Sequence, residues 1–223
     1  MTRPRVPLLI QDMDPKPIAE AYAKLTGRAP FSIAARKALR LSSDEGNVLD
    51  VACGPGYFLA QLAKLAPHKE IHGLDISPNM LSLAKDTLQK RNLDAKVQLH
   101  LGSAFDLPFE DNSLDLVTNS NFLHQIDDPS QFLYEMVRVL KPGGTGIIFD
   151  FTRDVPSWVR SLAYLHTRYT LWKQIPLDGM GRVIDACFTI EEIEGYLEKI
   201  PSIKWKIERP LMMVITTIWK EPI

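Results

Sequence analysis

Two carboxylates separated by a glycine turn make the strongest chemical signal in this chain. They are Asp50 and Asp75, with Gly54 and Gly56 between them. Residues 48–58 read as a buried strand running into the turn and then a helix. Neither glycine has a Cβ, so the backbone there can approach a ligand closely. Asp75 closes the next apolar run, at 71–76, where its carboxylate can accept hydrogen bonds from both hydroxyls of a ribose. The pair describes a site for an adenosine-containing ligand, at the carboxyl ends of parallel strands where open α/β sheets bind ligands. A dinucleotide fingerprint would carry a third glycine, G-x-G-x-x-G. Leu59 stands at that position, and Pro55 stiffens the turn. Asp50 adds a negative charge that suits a cationic ligand better than a pyrophosphate. A glycine pair alone also fits an ordinary strand-to-helix turn, so the surrounding elements decide.

Those elements follow from hydrophobic period and punctuation. Helices are expected at 18–25 and 31–41, split by Gly27 and Pro30. Strands are expected at 48–52, 71–76, 97–101, 114–119 and 146–151, with helices between them at 57–66, 78–91 and 129–140. Ser77-Pro78 supplies an N-cap and a first-turn proline. Strands alternating with helices argue for a parallel, doubly wound α/β sheet. Thr189 and Glu192 form a capping box for a helix to about 198. Ile203, Trp205 and Ile207 alternate with charged residues, and a more continuous apolar strand follows at 212–219. Strands joined so closely pair antiparallel. The chain divides into an N-terminal helical cap (1–45), a core (46–151), a helical lid insertion (152–187) and a C-terminal helix with hairpin (188–223).

The bulk numbers fit one soluble domain. The 223 residues are 45% hydrophobic and 24% charged, with a formal net charge of −1. That balance gives no electrostatic argument for nucleic acid. Cys53 and Cys187 cannot build a disulfide framework. The first residues lack the apolar core of a signal peptide, and no apolar run reaches membrane-spanning length. Cytoplasmic residence is the expectation.

The segment Val48-Leu49-Asp50-Val51-Ala52-Cys53-Gly54-Pro55-Gly56 resembles motif I of the class I S-adenosylmethionine (SAM) methyltransferases. His72-Gly73-Leu74-Asp75-Ile76-Ser77-Pro78-Asn79-Met80 is similar to the family's second motif. Gly102 through Phe109, Ser113 through Ser120 with His124, and Leu140-Lys141-Pro142-Gly143-Gly144 fit three more. The match covers 46–151 well and the C-terminal hairpin in outline. The resemblance implies a Rossmann-like seven-stranded sheet, mostly parallel, whose last strand inserts beside the fifth. It implies SAM held by Asp50, Ala52, Gly54, Gly56, Asp75, Ile76, Met80, Ser103, Ala104, Phe105, Asn119 and Ser120. In that set Ile76 packs on adenine, a carbonyl near Asn119 takes the ammonium group, and Ser103 replaces the family's common aspartate. The branch it looks closest to includes the ubiquinone/menaquinone-type and other small-molecule enzymes, so the expected partner is a small organic acceptor. A homodimer is left open.

Outside these motifs, His124 is a candidate general base, with packing near adenine as the plainer alternative. Tyr22 is a candidate to close over the sulfonium. Cys53 reads as apolar filler, and no metal site is expected. In the insertion, Trp158, Leu162, Leu165, Tyr169 and Trp172 recur at steps of four and three. Such a stripe either docks its helix on the domain or roofs an apolar acceptor pocket through Trp158, Tyr169, Trp172 and His166. The expected reaction is methyl transfer to a small molecule. Non-methylating SAM chemistry, a non-catalytic SAM-binding module and, more remotely, NAD-dependent oxidoreduction are the alternatives.

Overall fold

The computed structural model describes residues 5–6, 16–26, 31–170 and 179–222. Two helices, α1 (Lys16–Thr26) and α2 (Phe31–Arg40), precede a regular alternation. It runs β1 (Asn47–Val51), α3 (Tyr57–Leu65), β2 (Glu70–Asp75), α4 (Pro78–Gln89), β3 (Val97–Leu101), β4 (Leu114–Ser120), α5 (Ser130–Val139) and β5 (Leu140–Phe151). The insertion forms α6 (Ser157–Thr170) and α7 (Gly179–Ala186), which pack on each other. Then come α8 (Ile190–Leu197), β6 (Ile203–Glu208) and β7 (Met213–Lys220).

The sheet order is β3-β2-β1-β4-β5-β7-β6. The first five strands are parallel, whereas β7 lies antiparallel between β5 and β6. This is the expected seven-stranded α/β arrangement with an inserted last strand. Alternate residues of each central strand enter opposite cores, because side chains leave a strand with a period of two. Val48, Leu116 and Ile147 join Leu59 and Leu62 on the α2–α3 face. Leu49, Val117 and Ile148 meet Phe132, Leu133, Met136, Ile193 and Leu197 on the other. Both faces being covered explains why these strands are nearly continuous in apolar residues.

One boundary differs clearly from the sequence expectation. The strand expected to begin at 146 begins at Leu140, directly after α5. Lys141 to Gly144 are absorbed as an irregularity in the β4–β5 register between Leu114 and Leu116, since Gly143, at φ 82°, makes the bend without breaking the strand. At the helix caps the reading matches. Ser77 Oγ accepts from Met80 N–H, and Thr189 with Glu192 makes both halves of the capping box.

Candidate active-site cleft

A cavity of about 420 Å³ opens at the carboxyl ends of β1, β2 and β4, within the size range of small-molecule sites. Its wall includes Tyr22, Ala52, Gly54, Asp75, Ile76 and Met80, and continues through Ser103, Ala104, Phe105, Ser120, Asn121, Phe122 and Gln125. Nine residues of the expected cofactor set therefore share one cleft with Tyr22. Asp50, Gly56 and Asn119 do not line it.

Asp75 is 7% exposed and held from two sides. Gly54 N–H donates to Oδ2 at 2.8 Å, and Ser77 N–H donates to Oδ1 at 2.9 Å. The glycine turn thus orients the carboxylate as well as leaving room above itself. A Cβ on Gly54 would meet only Tyr22 Cε1, at 4.0 Å. Ile76 is 67% exposed and Phe105 39%, an apolar pair flanking the space beside Asp75.

Three expected ligand residues have other duties. Gly56, at φ 75°, begins α3, and a Cβ there would lie 3.0 Å from Ala84 Cα. Its missing side chain is what lets α3 approach α4. Asn119 is fully buried and its Nδ2 donates to Val51 O at 2.8 Å, tying β4 to β1. Asp50 lies sealed beneath the turn at 1% exposure. Thr118 Oγ1 donates to its Oδ1 at 2.9 Å, while Oδ2 has no partner among the described residues. Burial, opposed by the Thr118 hydrogen bond, pushes this carboxyl up to about 8. Burial thus favours the protonated carboxyl, the opposite tendency to the standing negative charge expected from the sequence. Ser103 is also partly committed: its Oγ accepts from Phe105 N–H at 3.1 Å, so that amide is consumed inside the turn.

Asn121 was missed in the sequence, where it looks like an ordinary turn residue. It sits at φ 57° just after β4, lines the cleft, and has a buried Oδ1 without a hydrogen-bond partner. Its carbonyl accepts from Gln125 Nε2 at 2.6 Å. Ala52 also adopts a positive φ, 54°, unusual for a residue with a Cβ. The SAM implied by the resemblance fits this chemistry. Asp75 suits the ribose, Ile76 and Phe105 suit adenine, and the orphan oxygen of Asn121 suits an ammonium group.

Tyr22 is half-buried on the cleft wall, and burial raises its phenol, so the hydroxyl stays protonated. His124 is 6% exposed and stands in a single 3₁₀ turn, Leu123–Gln125. Its Nδ1 donates to Asp150 Oδ1 at 2.6 Å, and its amide donates to Asp150 Oδ2 at 3.1 Å. The imidazole is therefore clamped to the end of β5, and its flanking residues Phe122 and Gln125, not His124 itself, line the cleft. Cys187 brings a third ligand-type atom within 4.8 Å of this pair. The His–Asp hydrogen bond and a 3.0 Å bond from Cys187 Sγ to Val183 O satisfy those atoms, and burial raises the thiol. Arg5 straps the same region, its guanidinium on Ala186 O at 2.7 Å and 4.0 Å above the Phe188 ring.

The insertion follows β5 at the cleft end of the sheet. Trp158, Leu162 and Leu165 are 68%, 58% and 65% exposed. They neither dock α6 on the domain nor line the cleft described above. Trp172 and the side chains of His166 and Tyr169 lie outside the described residues.

Comparison with known proteins agrees with this geometry. Residues 49–148 match the model of a methyltransferase domain. The demethylmenaquinone methyltransferase of Listeria welshimeri is 40% identical over 114 residues, which are 50% of this chain and 48% of that protein. The chain thus spans about half the length of such curated relatives. A solved structure from Methanococcus maripaludis, assigned to the S-adenosyl-L-methionine-dependent methyltransferases, superposes with a TM-score of 0.72 at 23% identity, covering 93% of this chain and 94% of that one. The phosphoethanolamine N-methyltransferase 2 of Haemonchus contortus, solved with S-adenosyl-L-methionine, gives 0.67 at 17% identity over 96% of this chain and 59% of that one. At such identities the two structures speak for the fold alone.

Proposed function

We propose that this chain, whose residues 49–148 match the model of a methyltransferase domain, is a class I SAM-dependent methyltransferase that transfers a methyl group from SAM to a small, largely apolar organic acceptor. The observation that carries this reading is Asp75, fixed by the Gly54 and Ser77 amides at the mouth of the cleft. A carboxylate at the end of β2, oriented by the glycine turn, suits the hydroxyls of a ribose.

When bound, the cofactor supplies a methyl carbon already activated by its sulfonium. The chain's part is then alignment and exclusion of water, which in well-oriented systems contributes roughly 7–11 kcal/mol. Asp75, Ile76 and Phe105 fix the nucleoside end, and Asn121 Oδ1 accepts from the ammonium end. Tyr22 covers the cleft from α1 and, remaining a neutral phenol, keeps charge away from the transferring carbon. His124 is the proposed base: Asp150 accepts from Nδ1 and leaves Nε2 as the basic nitrogen. An acceptor would reach it if α7, which packs on the 123–125 turn, moves aside. Trp158, Tyr169, Trp172 and His166 remain the proposed lid contacts. They would meet the acceptor if α6 swings over the cleft.

The relatives named for demethylmenaquinone favour a ring acceptor carrying an acidic hydroxyl or an adjacent nucleophilic carbon. The test is methyl incorporation from labelled SAM into a panel of demethylated quinols and hydroxyaromatics, using the full chain. Turnover of a ring acceptor that Asp75→Ala abolishes is the expected result. SAM binding without turnover of any acceptor would overturn the reading in favour of a cofactor-holding module.

A further inference from the structure

The exposed face of α6 does not line the cleft in this structure. Trp158, Leu162 and Leu165 fall at i, i+4 and i+7 and form one stripe facing solvent. Contiguous apolar faces of this kind mark interaction surfaces. The charge around the stripe is one-sided. Between Asp154 and Asp178 the sequence has Arg160, Arg168 and Lys173 and no acidic residue, although the chain as a whole carries −1. Tyr164, Tyr169 and Trp172 occur in the same stretch. Arg160 is bound to Asp185 of α7, which anchors the helix with its apolar face outward. An exposed apolar stripe in a stretch of sequence with an excess of cations and several tryptophans and tyrosines matches the composition of a helix that lies in a membrane interface.

We propose that α6 docks this chain on the surface of an anionic lipid bilayer, with Trp158, Leu162 and Leu165 inserted among the headgroups. A second copy of the chain is the poorer occupant, because a stable dimer face takes roughly 20–30 residues a side and this stripe offers three described ones. Because α6 follows β5 at the end of the sheet that bears the cleft, docking brings that end of the sheet near the lipid. The docking surface itself rests on α6 alone and is read without any acceptor.

The experiment is co-sedimentation of the full chain with vesicles of phosphatidylglycerol and phosphatidylcholine, beside vesicles of phosphatidylcholine only. Binding to the anionic vesicles should exceed binding to the neutral ones. A Leu162→Glu, Leu165→Glu double variant should bind at least about tenfold more weakly, with its melting temperature unchanged because both positions are exposed. Bromine-labelled lipid should quench part of the tryptophan emission, and Trp158→Phe should remove that part while retaining vesicle binding. Absence of vesicle binding by the parent, or equal binding by the double variant, overturns the proposal. So does a dimer in sedimentation velocity that the double variant splits. Loss of SAM affinity in that variant would also overturn it, since the stripe would then belong to the cleft.

Discussion

At the scale of single residues, Asp75 and Asn121 show what a sequence discloses and what it hides. A carboxylate closing the strand after a glycine turn has a chemical meaning that its position alone supplies, so Asp75 was legible. Asn121 was not, because its role depends on a positive φ and on an oxygen left without a partner, neither of which a sequence displays. Asp75→Ala should weaken SAM binding by about 1.5–3 kcal/mol, the range for hydrogen bonds to charged groups, measured by calorimetry. Asp75→Asn keeps an acceptor for the Gly54 amide but sets its NH2 against the Ser77 amide, so its melting temperature should be read beside its affinity; an affinity equal to the parent's for both variants would remove Asp75 from the site. Ala52 makes a different prediction. A left-handed conformation costs a residue with a Cβ about 1–2 kcal/mol, and glycine returns about 0.4–1 of that through the freer unfolded chain. Ala52→Gly should therefore stabilise the protein by about 0.5–1 kcal/mol in urea denaturation, and a destabilised variant would show that the methyl group packs usefully in the cleft. For His124, base catalysis implies that His124→Ala lowers the transfer rate 10²- to 10⁴-fold and removes a rise of rate with pH, while SAM binding persists. A smaller loss with the same pH profile would leave His124 as the clamp between the 123–125 turn and Asp150.

Elements were easier to read than the ties between them. The alternation of strands and helices, the two caps and the terminal hairpin all lie in local pattern, whereas the loop after β3 is held by a residue far from it in sequence. Arg138, on α5, donates to Leu107 O, Phe109 O, Asp111 and both oxygens of Glu135. Glu135 in turn accepts from Leu107 N–H at 2.7 Å. This network anchors the loop that carries Ser103, Ala104 and Phe105 into the cleft, and the Arg138 guanidinium holds the Glu135 carboxyl below its ordinary range. Nothing in the local sequence announces it, since an Arg three residues after a Glu on a helix reads as a surface pair. Arg138→Ala strands a buried carboxylate and should cost about 2–4 kcal/mol, less than a fully buried pair because the arginine is partly exposed. The same variant should weaken SAM binding through the loosened loop, although Arg138 does not line the cleft. Unchanged affinity in the folded fraction would mean that the loop holds its shape without α5. The stripe on α6 is the opposite case: its period was plain in the sequence, but whether it faced the domain or the solvent depended on three-dimensional packing.

For the molecule as a whole, the sheet that builds the cleft also buries ionisable groups, and its stability should carry their signature. Asp50 sits in the centre of the sheet between two apolar layers, and burial moves its carboxyl from 3.8 to about 8. The folded protein therefore keeps a proton that the unfolded chain releases, so stability falls as pH rises from about 4 and levels off above about 8. His72 acts in the other direction. Burial lowers its imidazole below 6.5, the unfolded chain takes up that proton first, and the contribution of His72 grows with pH through that region. A plain stability curve for the parent mixes the two, but a comparison with Asp50→Asn cancels His72 and every other unchanged group. Asparagine preserves the acceptor for Thr118 and cannot ionise. Urea denaturation from pH 5 to 8 should then show the variant gaining on the parent with each step, and the gap should stop growing above pH 8. A gap that stays constant with pH would mean that Asp50 ionises normally in the folded chain. The sheet would then carry a charge at its centre, available to a cationic ligand from the outset.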